Sequence, residues 1–415
     1  MNVLKLATAG SVDDGKSTLI GRILYDTNSL TEDKLEAIEE KSRQRGFDYL
    51  DFSLATDGLV AEREQGITID VAHIYFSTPK TSFIIADTPG HIEYTRNMVT
   101  GASNSQASII LVDARNGVVE QTYRHFFINN LLQVKEVVVA VNKMDLVDYS
   151  EEKFNQIKGE IEYLAEKSDY KNQKITFIPI SALHGDNVVN PSSNIDWYSG
   201  KSILEYLEGL NLAENENDAQ ARFPVQSVIR PKTDEFHDYR GYAGKLYGGN
   251  LAVGDKVTVL PSVIESTIKS INFFDQEFNE VKSGSSFTLT LEDDVNVSRG
   301  DMIVKSGEEP QITKQLEATI CWMDKSPLQT SDKYYIKHGV NDAQVKITNL
   351  ENIINTDFSG KDENPSKLSL NEIGKVQLKL SKPLLVDSYK KNKSNGAFIL
   401  INPKTNNTSG VGFIN

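Results

Sequence analysis

Cysteine is nearly absent from this sequence, with one residue in 415. A single cysteine excludes an intramolecular disulfide framework and is typical of proteins from a reducing compartment. That residue, Cys321, stands beside Trp322 in an apolar stretch. This setting favours a role in packing over a role in chemistry.

Long apolar runs are absent too, and the first residues show no basic segment followed by an apolar one. The sequence therefore predicts no secretion signal and no membrane span, and we expect a cytoplasmic protein. Positive charge is scarce, because 44 lysines and arginines are outnumbered by 58 aspartates and glutamates, for a net charge of −14. This balance argues weakly against nonspecific nucleic-acid binding and leaves room for a local basic patch. We expect neither a nucleic acid nor a membrane as partner.

Histidine is rare, and five of the six residues lack the spacing of metal ligands. The sixth, His91, directly follows a proline-glycine turn at the end of a predicted strand. For the other five we expect surface or core packing: His73, His125, His184, His237 and His338.

A phosphate-binding loop pattern, glycine, four residues, then glycine-lysine-serine, stands between an apolar run and a helical pattern. The glycines let backbone N–H groups approach phosphate oxygens, and the N-terminus of the following helix attracts the same anion. Lys16 is predicted to contact the β- and γ-phosphates, and the Ser17 hydroxyl to ligate Mg²⁺. The predicted nucleotide-binding stretch comprises Gly10, Ser11, Val12, Asp13, Asp14, Gly15, Lys16, Ser17 and Thr18. Asp13 is also a candidate ligand for a monovalent cation.

Short β-branched runs alternate with helical patterns in the first half of the chain. This alternation predicts a P-loop domain, residues 1–220, with a doubly wound, mostly parallel α/β sheet. Residues 31–45 read as a charged surface helix, and the acidic stretch 211–221 reads as the linker that ends the domain. The predicted strands are residues 3–7, 82–87, 108–113, 136–141 and 174–180.

Beyond Arg222 the helical patterns stop, and short alternating stretches are punctuated by glycine turns. Even spacing of this kind predicts two small β-barrels, residues 221–312 and 313–415. The polar segment 355–367 is predicted to be a loop.

Polar residues that suit Mg²⁺ and the γ-phosphate follow the strand at 82–87. Asp87 is placed to hold Mg²⁺ through water, and the Gly90 N–H to meet the γ-phosphate. An Asp-Thr-Pro-Gly turn is common in itself, and the two interpretations are compatible. Thr68, after Gly66 and Ile67, can bind Mg²⁺ and the γ-phosphate as a switch between triphosphate and diphosphate states. The predicted metal ligands are Ser17, Thr68 and Asp87, and His91 could orient the attacking water.

Two further motifs, each directly after a strand, indicate that the base is guanine. Asp145 can accept hydrogen bonds from the guanine N1–H and exocyclic amine, a pair that adenine does not present. Asn142 can address the far edge of the base, while the Lys143 stem lies over the ring. Backbone N–H groups of the next turn can meet the guanine O6; this turn comprises Ser181, Ala182 and Leu183. The ordered set of motifs predicts a GTPase that binds GTP and GDP with Mg²⁺.

These motifs resemble the translation-factor class of GTPases, in which a GTPase domain precedes two β-barrels. Asp-Thr-Pro-Gly-His at 87–91 is the mark of that class. More narrowly, the chain resembles the large GTPase subunit of bacterial sulfate adenylyltransferase, strongest in residues 1–260 and weaker through the last barrel. The stretches that carry this resemblance are residues 10–17, 57–70, 94–103, 223–226 and 240–244.

The resemblance implies a GTP-hydrolysing subunit in a heteromeric complex. In that family a small, ATP-pyrophosphatase-like catalytic subunit makes adenosine 5′-phosphosulfate and pyrophosphate from ATP and sulfate, and GTP hydrolysis drives this unfavourable transfer. By resemblance, Lys16 contacts the phosphates, Ser17 and Thr68 hold Mg²⁺, and His91 positions water. Val12 and Ile67 match the apolar pair that flanks this histidine in translation factors. Since some related chains carry a fused adenylylsulfate kinase domain and this sequence stops at Asn415, we expect no kinase activity.

Two alternatives remain open at the level of sequence. A translation factor that delivers aminoacyl-tRNA would carry the same core GTPase motifs; the Asp13-Asp14 pair, the 240–244 stretch and the lack of an evident basic stripe argue against it. A regulatory GTPase without a coupled metabolic reaction would also fit. A neighbouring gene for the small subunit would favour the sulfate-activating interpretation.

Overall fold

The apolar, β-branched runs of the first half form a central parallel sheet in the computed structural model. The structure describes residues 2–44, 46, 49–55, 71–89, 95–210, 219–231, 239–274 and 276–415. The chain divides into two compact units, Met1–Leu212 with Asn355–Gly360, and Ala213–Ile354 with Lys361–Asn415. Among the described residues, no helix is both long and apolar enough to cross a membrane.

The first unit contains six strands in the order β2-β3-β1-β4-β5-β6. The strands are β1 (Asn2–Ala9), β2 (Ala72–Ser77), β3 (Thr81–Asp87), β4 (Ala107–Asp113), β5 (Glu136–Asn142) and β6 (Lys174–Pro179). All are parallel except β2, which pairs antiparallel with β3 at the edge. All seven residues of β4 are buried, as expected of a central strand covered on both faces. The predicted doubly wound sheet is thus confirmed, whereas the edge strand β2 was not predicted.

Helices and short 3₁₀ turns join these strands. The helices are α1 (Lys16–Asp26), α2 (Glu32–Gln44), α3 (Thr95–Ala102), α4 (Glu120–Leu131), α5 (Glu151–Lys167) and α6 (Ile203–Glu208). The 3₁₀ turns are Phe52–Ala55 and Met144–Val147. The charged helix predicted at residues 31–45 is α2, in which Ile38 is buried while most charged side chains are exposed.

Strand register brings the predicted polar motifs to one edge of the sheet. Thr8 lies opposite Asp87, and Asp113 lies opposite Asn142. Because parallel strands end at the same edge, the phosphate loop after β1 and the residues that end β3, β4 and β5 converge there. This convergence positions the candidate site.

The second unit consists of antiparallel strands. The first group is β7 (Phe223–Ile229), β8 (Gly241–Lys245), β9 (Asn250–Ala252), β10 (Lys256–Leu260), β11 (Ile264–Phe273), β12 (Gln276–Glu277), β13 (Glu280–Lys282), β14 (Ser286–Leu291) and β15 (Met302–Lys305). The second group is β16 (Gln311–Trp322), β17 (Leu328–Gln329), β18 (Lys333–His338), β19 (Asn341–Ile354), β20 (Lys361–Glu363), β21 (Lys367–Leu368), β22 (Ile373–Val386), β23 (Ala397–Ile401) and β24 (Thr408–Ile414).

Each group closes into a barrel. In the first, β10-β15-β7-β8-β14-β11 is closed by pairing of β10 with β11; in the second, β18-β23-β24-β16-β22-β19 is closed by pairing of β18 with β19. Because each barrel is closed, few strands have an unpaired edge, and most backbone N–H and C=O groups are paired within the sheet. The two predicted barrels are confirmed, and the exact domain boundaries stay a prediction.

The prediction of a loop at residues 355–367 is wrong in part. Lys361–Glu363 pairs with the end of β19, and Lys367 and Leu368 pair with β17. The polar composition led to the wrong prediction, because the side chains of an edge strand can stay in water while backbone hydrogen bonds hold the strand in the sheet. All three β20 side chains are exposed accordingly.

A buried ion pair links the two barrels of the second unit. Arg222, which precedes β7, is 1% exposed and donates from Nε and Nη2 to the two carboxylate oxygens of Asp387, at 2.8 and 2.9 Å. Asn395 Nδ2 donates to the same carboxylate at 2.7 Å. Because every one of these groups has a partner, the burial of the two charges is compensated.

Candidate nucleotide-binding site

The phosphate loop joins β1 to α1 through a left-handed glycine. Gly15 has φ +95°, and a Cβ built there would lie 2.5 Å from Asn142 Nδ2. Only glycine fits both constraints, which is the physical reason for the second glycine of the motif. Asp13 is also left-handed, with φ 69°, a strained geometry that tends to occur at functional sites.

Lys16 is folded back into the loop. Its Nζ donates to the carbonyl oxygens of Gly10 and Ser11, at 2.8 and 3.4 Å. Burial lowers the pKa of Lys16, while the nearby carboxylates of Asp87, Asp14 and Asp13 act in the opposite direction. The ammonium is therefore already inside the loop that would surround the phosphates.

Asp14 belongs to the loop by its side chain as well as its backbone. Its carboxylate is buried, and Oδ2 accepts a hydrogen bond from the Ser11 N–H at 2.6 Å. Burial raises the pKa of Asp14, although this hydrogen bond and Lys16 lower it in part. The Asp14 side chain thus stabilises the turn of the phosphate loop by a hydrogen bond within the loop.

Asp87 ends β3 next to the loop, 2% exposed. Its Oδ1 accepts from Thr8 Oγ1 at 3.0 Å, and Thr88 Oγ1 donates to Thr8 O at 2.6 Å. The Asp87 carboxylate and the Ser17 hydroxyl in the first turn of α1 are hard oxygen donors, the class that Mg²⁺ prefers. These residues therefore fit the predicted ion.

Several predicted residues lie outside the described part of the chain. They are Ile67, Thr68, Gly90 and His91. Their roles at the metal and at the attacking water stay predictions.

Asn142 ties the phosphate end of the site to the base end. Its Nδ2 donates to Asp14 O at 2.7 Å, and its Oδ1 accepts from the Ala182 N–H at 2.9 Å. The sequence predicted that this amide addresses the base, and the structure adds a bridging role between two loops. The Ala182 N–H, predicted for the guanine O6, is the donor in that bridge.

Lys143 adopts a left-handed backbone, φ 62°, which turns its side chain across the phosphate loop. Its Nζ donates to Asp13 O and lies 3.0 Å from Asp113 Oδ2. Asp113, the last residue of β4, also accepts from Arg115, with Nη2 at 2.7 Å from Oδ2. Burial opposes ionisation of Asp113, but the hydrogen bonds from Arg115 and Lys143 outweigh it and hold the pKa at about 2.

Asp113 and Arg115 were not predicted as site residues. The position of Asp113 in the sequence could have indicated its role. Asp113 ends a buried strand at the same sheet edge as Asp87 and Asn142. Its partner Lys143 is 30 residues away in sequence, so spacing alone did not reveal the pair.

Asp145 lies in the 3₁₀ turn Met144–Val147, with its side chain 12% exposed. The imidazole Nε2 of His184 lies 3.8 Å from Asp145 Oδ2. Sequence reasoning assigned His184 to packing, whereas the structure places it beside the carboxylate predicted to read guanine.

The turn that contains Ser181, Ala182 and Leu183 is closed by local hydrogen bonds. Gly185 N–H donates to Ser181 O at 2.8 Å, and His184 N–H donates to Ser181 Oγ at 3.3 Å. Ser181 is fully buried, so the turn is anchored at its start. The structure therefore brings the phosphate loop, Asp87, Asn142, Lys143 and this turn to one place.

Comparison with known proteins identifies the family. The elongation factor Tu GTP binding domain family matches residues 1–260, and the GTP-eEF1A C-terminal domain-like family matches residues 315–415. "Sulfate adenylyltransferase subunit 1" of Bacteroides fragilis (strain YCH46) is 49% identical over 415 residues, covering 100% of this chain and 86% of the relative. The chain belongs to this family of GTPases.

A second relative of the GTPase is longer. The "Bifunctional enzyme CysN/CysC" of Mycobacterium tuberculosis (strain CDC 1551 / Oshkosh) is 49% identical over 413 residues, which cover 99% of this chain and 67% of the relative. Among solved structures, Sup35 complexed with GMPPNP covers the whole chain at 22% identity with a TM-score of 0.45. The likeness to translation factors rests on the matched GTP binding domain family. The resemblance to the large subunit of sulfate adenylyltransferase is confirmed.

Proposed function

We propose that this GTPase couples GTP hydrolysis to the synthesis of adenosine 5′-phosphosulfate in sulfate assimilation. A small catalytic subunit forms the new bond between a sulfate oxygen and the α-phosphorus of ATP, and pyrophosphate leaves. In the same cycle GTP and water yield GDP and phosphate on this chain. Both reactions belong to the cytoplasm, where their nucleotides are supplied.

The observation that carries the proposal is the junction made by Asn142. One hydrogen bond of 2.7 Å joins Asn142 to the phosphate loop, and another of 2.9 Å joins it to the turn at 181–183. A nucleotide bound across this junction meets phosphate ligands at one end and Asp145 at the other. This arrangement supports binding of a whole guanine nucleotide, and relatives at 46–49% identity are named sulfate adenylyltransferase subunit 1.

The proposed roles divide among the phosphate loop, the metal ligands and the residues that bind the base. Lys16 contacts the β- and γ-phosphates, the residues of the loop donate backbone N–H groups, and Asp145 accepts from guanine N1–H and N2. Ser17 and Asp87, with Thr68, would hold Mg²⁺, which supplies charge neutralisation at the transferred phosphoryl group. Asp13 would hold a monovalent cation, and His91 would orient the attacking water.

The test is synthesis of adenosine 5′-phosphosulfate from ATP and sulfate by this chain plus the small subunit. Synthesis should rise with GTP and stall with a non-hydrolysable GTP analogue. The His91→Ala variant should bind GTP nearly as well as wild type and lose coupled hydrolysis. GTP hydrolysis without any effect on synthesis would contradict the proposal and favour the translation-factor alternative.

A variant with changed nucleotide specificity tests whether the coupling depends on this site. Asp145→Asn replaces one carboxylate oxygen with an amide N–H, which meets the 2-oxygen of xanthine but opposes the 2-amino group of guanine. In this variant XTP, and no longer GTP, should stimulate synthesis by the complex. Continued stimulation by GTP alone would show that coupling uses another site.

A further inference from the structure

Arg22 joins the phosphate-binding helix to the turn predicted to read the base. It lies in α1, which begins at Lys16 in the phosphate loop. Its Nη1 donates to the Leu183 carbonyl oxygen at 3.2 Å, across 161 residues of sequence. A helix that starts at the phosphates is thereby attached to the far end of the nucleotide site.

The turn is shaped to receive the guanidinium. Gly185 has φ +86°, and a Cβ there would lie 2.5, 2.7 and 2.8 Å from Nη2, Cζ and Nε of Arg22. The absence of a side chain lets the planar group lie flat against the backbone of the turn. Arg22 therefore contacts the turn by hydrogen bond and by packing at once.

The side chain is held in this position from its other sides. Nε donates to Asp26 Oδ2 at 2.9 Å, one helical turn away, and the Arg22 side chain is 21% exposed. The guanidinium carbon lies 5.3 Å from the ring centre of Phe52 and 5.9 Å from that of Tyr25. These contacts remove most of the rotamer freedom of a long side chain before any ligand binds.

We propose that Arg22 is a positioning residue for guanine recognition, which holds the turn 181–185 so that the Leu183 N–H meets the O6 atom. The inference rests on the proposed role of Ser181, Ala182 and Leu183. Without Arg22, the turn keeps its internal hydrogen bonds and its link to the phosphate loop through Asn142, but loses its fixed distance from α1. Recognition of O6 then weakens, while recognition of the 2-amino group by Asp145 does not.

The experiment compares the affinities of the full chain for GDP, 6-thio-GDP and IDP by calorimetry. 6-Thio-GDP replaces O6 with a weak acceptor, and IDP lacks the 2-amino group. In Arg22→Ala the preference for GDP over 6-thio-GDP should fall by about tenfold, the worth of one good hydrogen bond. The preference for GDP over IDP should stay unchanged.

Two further variants complete the design. Arg43→Ala is the matched control, because Arg43 pairs with Glu39 on exposed α2 with its side chain 77% exposed, and both preferences should equal those of wild type. Asp26→Asn keeps the guanidinium but removes its anchor, and should give an intermediate loss if Arg22→Ala fails to fold.

The possible outcomes distinguish a failure of the role of Arg22 from a failure of the proposed role of the turn. If wild type does not prefer GDP to 6-thio-GDP, the turn does not read O6 and both fail. If wild type discriminates and both Arg22→Ala and Asp26→Asn discriminate equally well, the role of Arg22 is wrong while that of the turn stands. An equal fall in both preferences would assign Arg22 a merely structural role and would also overturn the inference.

Discussion

At the scale of single residues, charge pairs surround the proposed base end of the site. Asp145 presents a largely covered carboxylate, and Asp113 holds the neighbouring Lys143 by an ion pair of 3.0 Å. Carboxylates in such surroundings discriminate by leaving a mismatched partner without a hydrogen bond.

Asp145→Asn should lower the affinity for GDP by at least 100-fold and raise that for XDP. The amide oxygen still accepts from N1–H, but the amide N–H opposes the 2-amino group of guanine, whereas xanthine offers an oxygen at that position. Competition binding with the two diphosphates measures the change. Asp148→Asn, an exposed neighbour on the same turn, should keep the preference for GDP. Unchanged GDP affinity in Asp145→Asn would remove Asp145 from the base site.

Asp113→Asn should lower GDP affinity about tenfold, because Lys143 loses the charge that holds it across the phosphate loop. The variant should also lose roughly 2 kcal/mol of stability. Because the folded pKa of Asp113, about 2, is below its ordinary value of 3.8, this stabilisation is present above pH 3.8 and lost as pH falls toward 2. Urea unfolding should therefore show a constant difference from wild type between pH 8 and pH 5. A difference that fades within that range would contradict the assignment.

At the scale of elements, α4 carries an unusual buried group. His125 is 4% exposed, and its Nδ1 finds no hydrogen-bond partner among the described residues. Burial lowers its pKa to about 3, and the charges of Lys16 and Arg124 act in the same direction. The helix therefore packs against the sheet only with a neutral imidazole.

Acid should weaken this packing. Below about pH 6.5 the unfolded chain binds a proton at His125 that the folded chain does not, so stability falls by up to ~1.4 kcal/mol per pH unit toward pH 3. In His125→Gln the free energy of unfolding should depend less on pH between pH 6.5 and pH 4.5, because the contribution of His125 is gone. Buried His338 contributes equally to the pH dependence of wild type and of the variant. Unfolding by urea at several pH values measures it.

His184→Gln is the control for this slope, since the His184 side chain is 57% exposed. It should retain the pH dependence of wild type. An identical slope in wild type and His125→Gln would show that α4 tolerates a charged imidazole.

At the scale of the whole molecule, the second unit holds two barrels that share the pair of Arg222 and Asp387. Breaking a fully buried ion pair leaves an uncompensated charge and costs about 3–5 kcal/mol. Arg222→Ala should therefore lower the stability of the second unit by that amount in calorimetry. Arg240→Ala removes an ion pair with the exposed Asp294 and should cost less than about 1 kcal/mol. Equal effects of the two substitutions would show that the buried pair stabilises neither barrel.

Much of the site was predictable because its signals are local. The phosphate loop, Asp87, the 142–145 motif and the turn at 181–183 each follow a strand directly, and parallel strands deliver their ends to one edge. The hairpin of β20 was missed for the opposite reason, because its polar, exposed side chains carry no burial pattern and backbone pairing holds the strand. Strand β2 is a short edge strand in which only Phe76 is buried, so its sequence carried only a weak signal.

The sequence by itself determined the fold class, the chemistry of the phosphate loop and the family, since each depends on residues within a few positions of one another. Tertiary structure alone decided which side chains from remote segments meet, both at the site and between the two barrels of the second unit. Arg22 meets Leu183, Lys143 meets Asp113 and Arg222 meets Asp387 across 161, 30 and 165 residues respectively. A hydrogen bond or ion pair depends on distances of about 3 Å, and such distances between remote segments arise only from the packing of the whole chain.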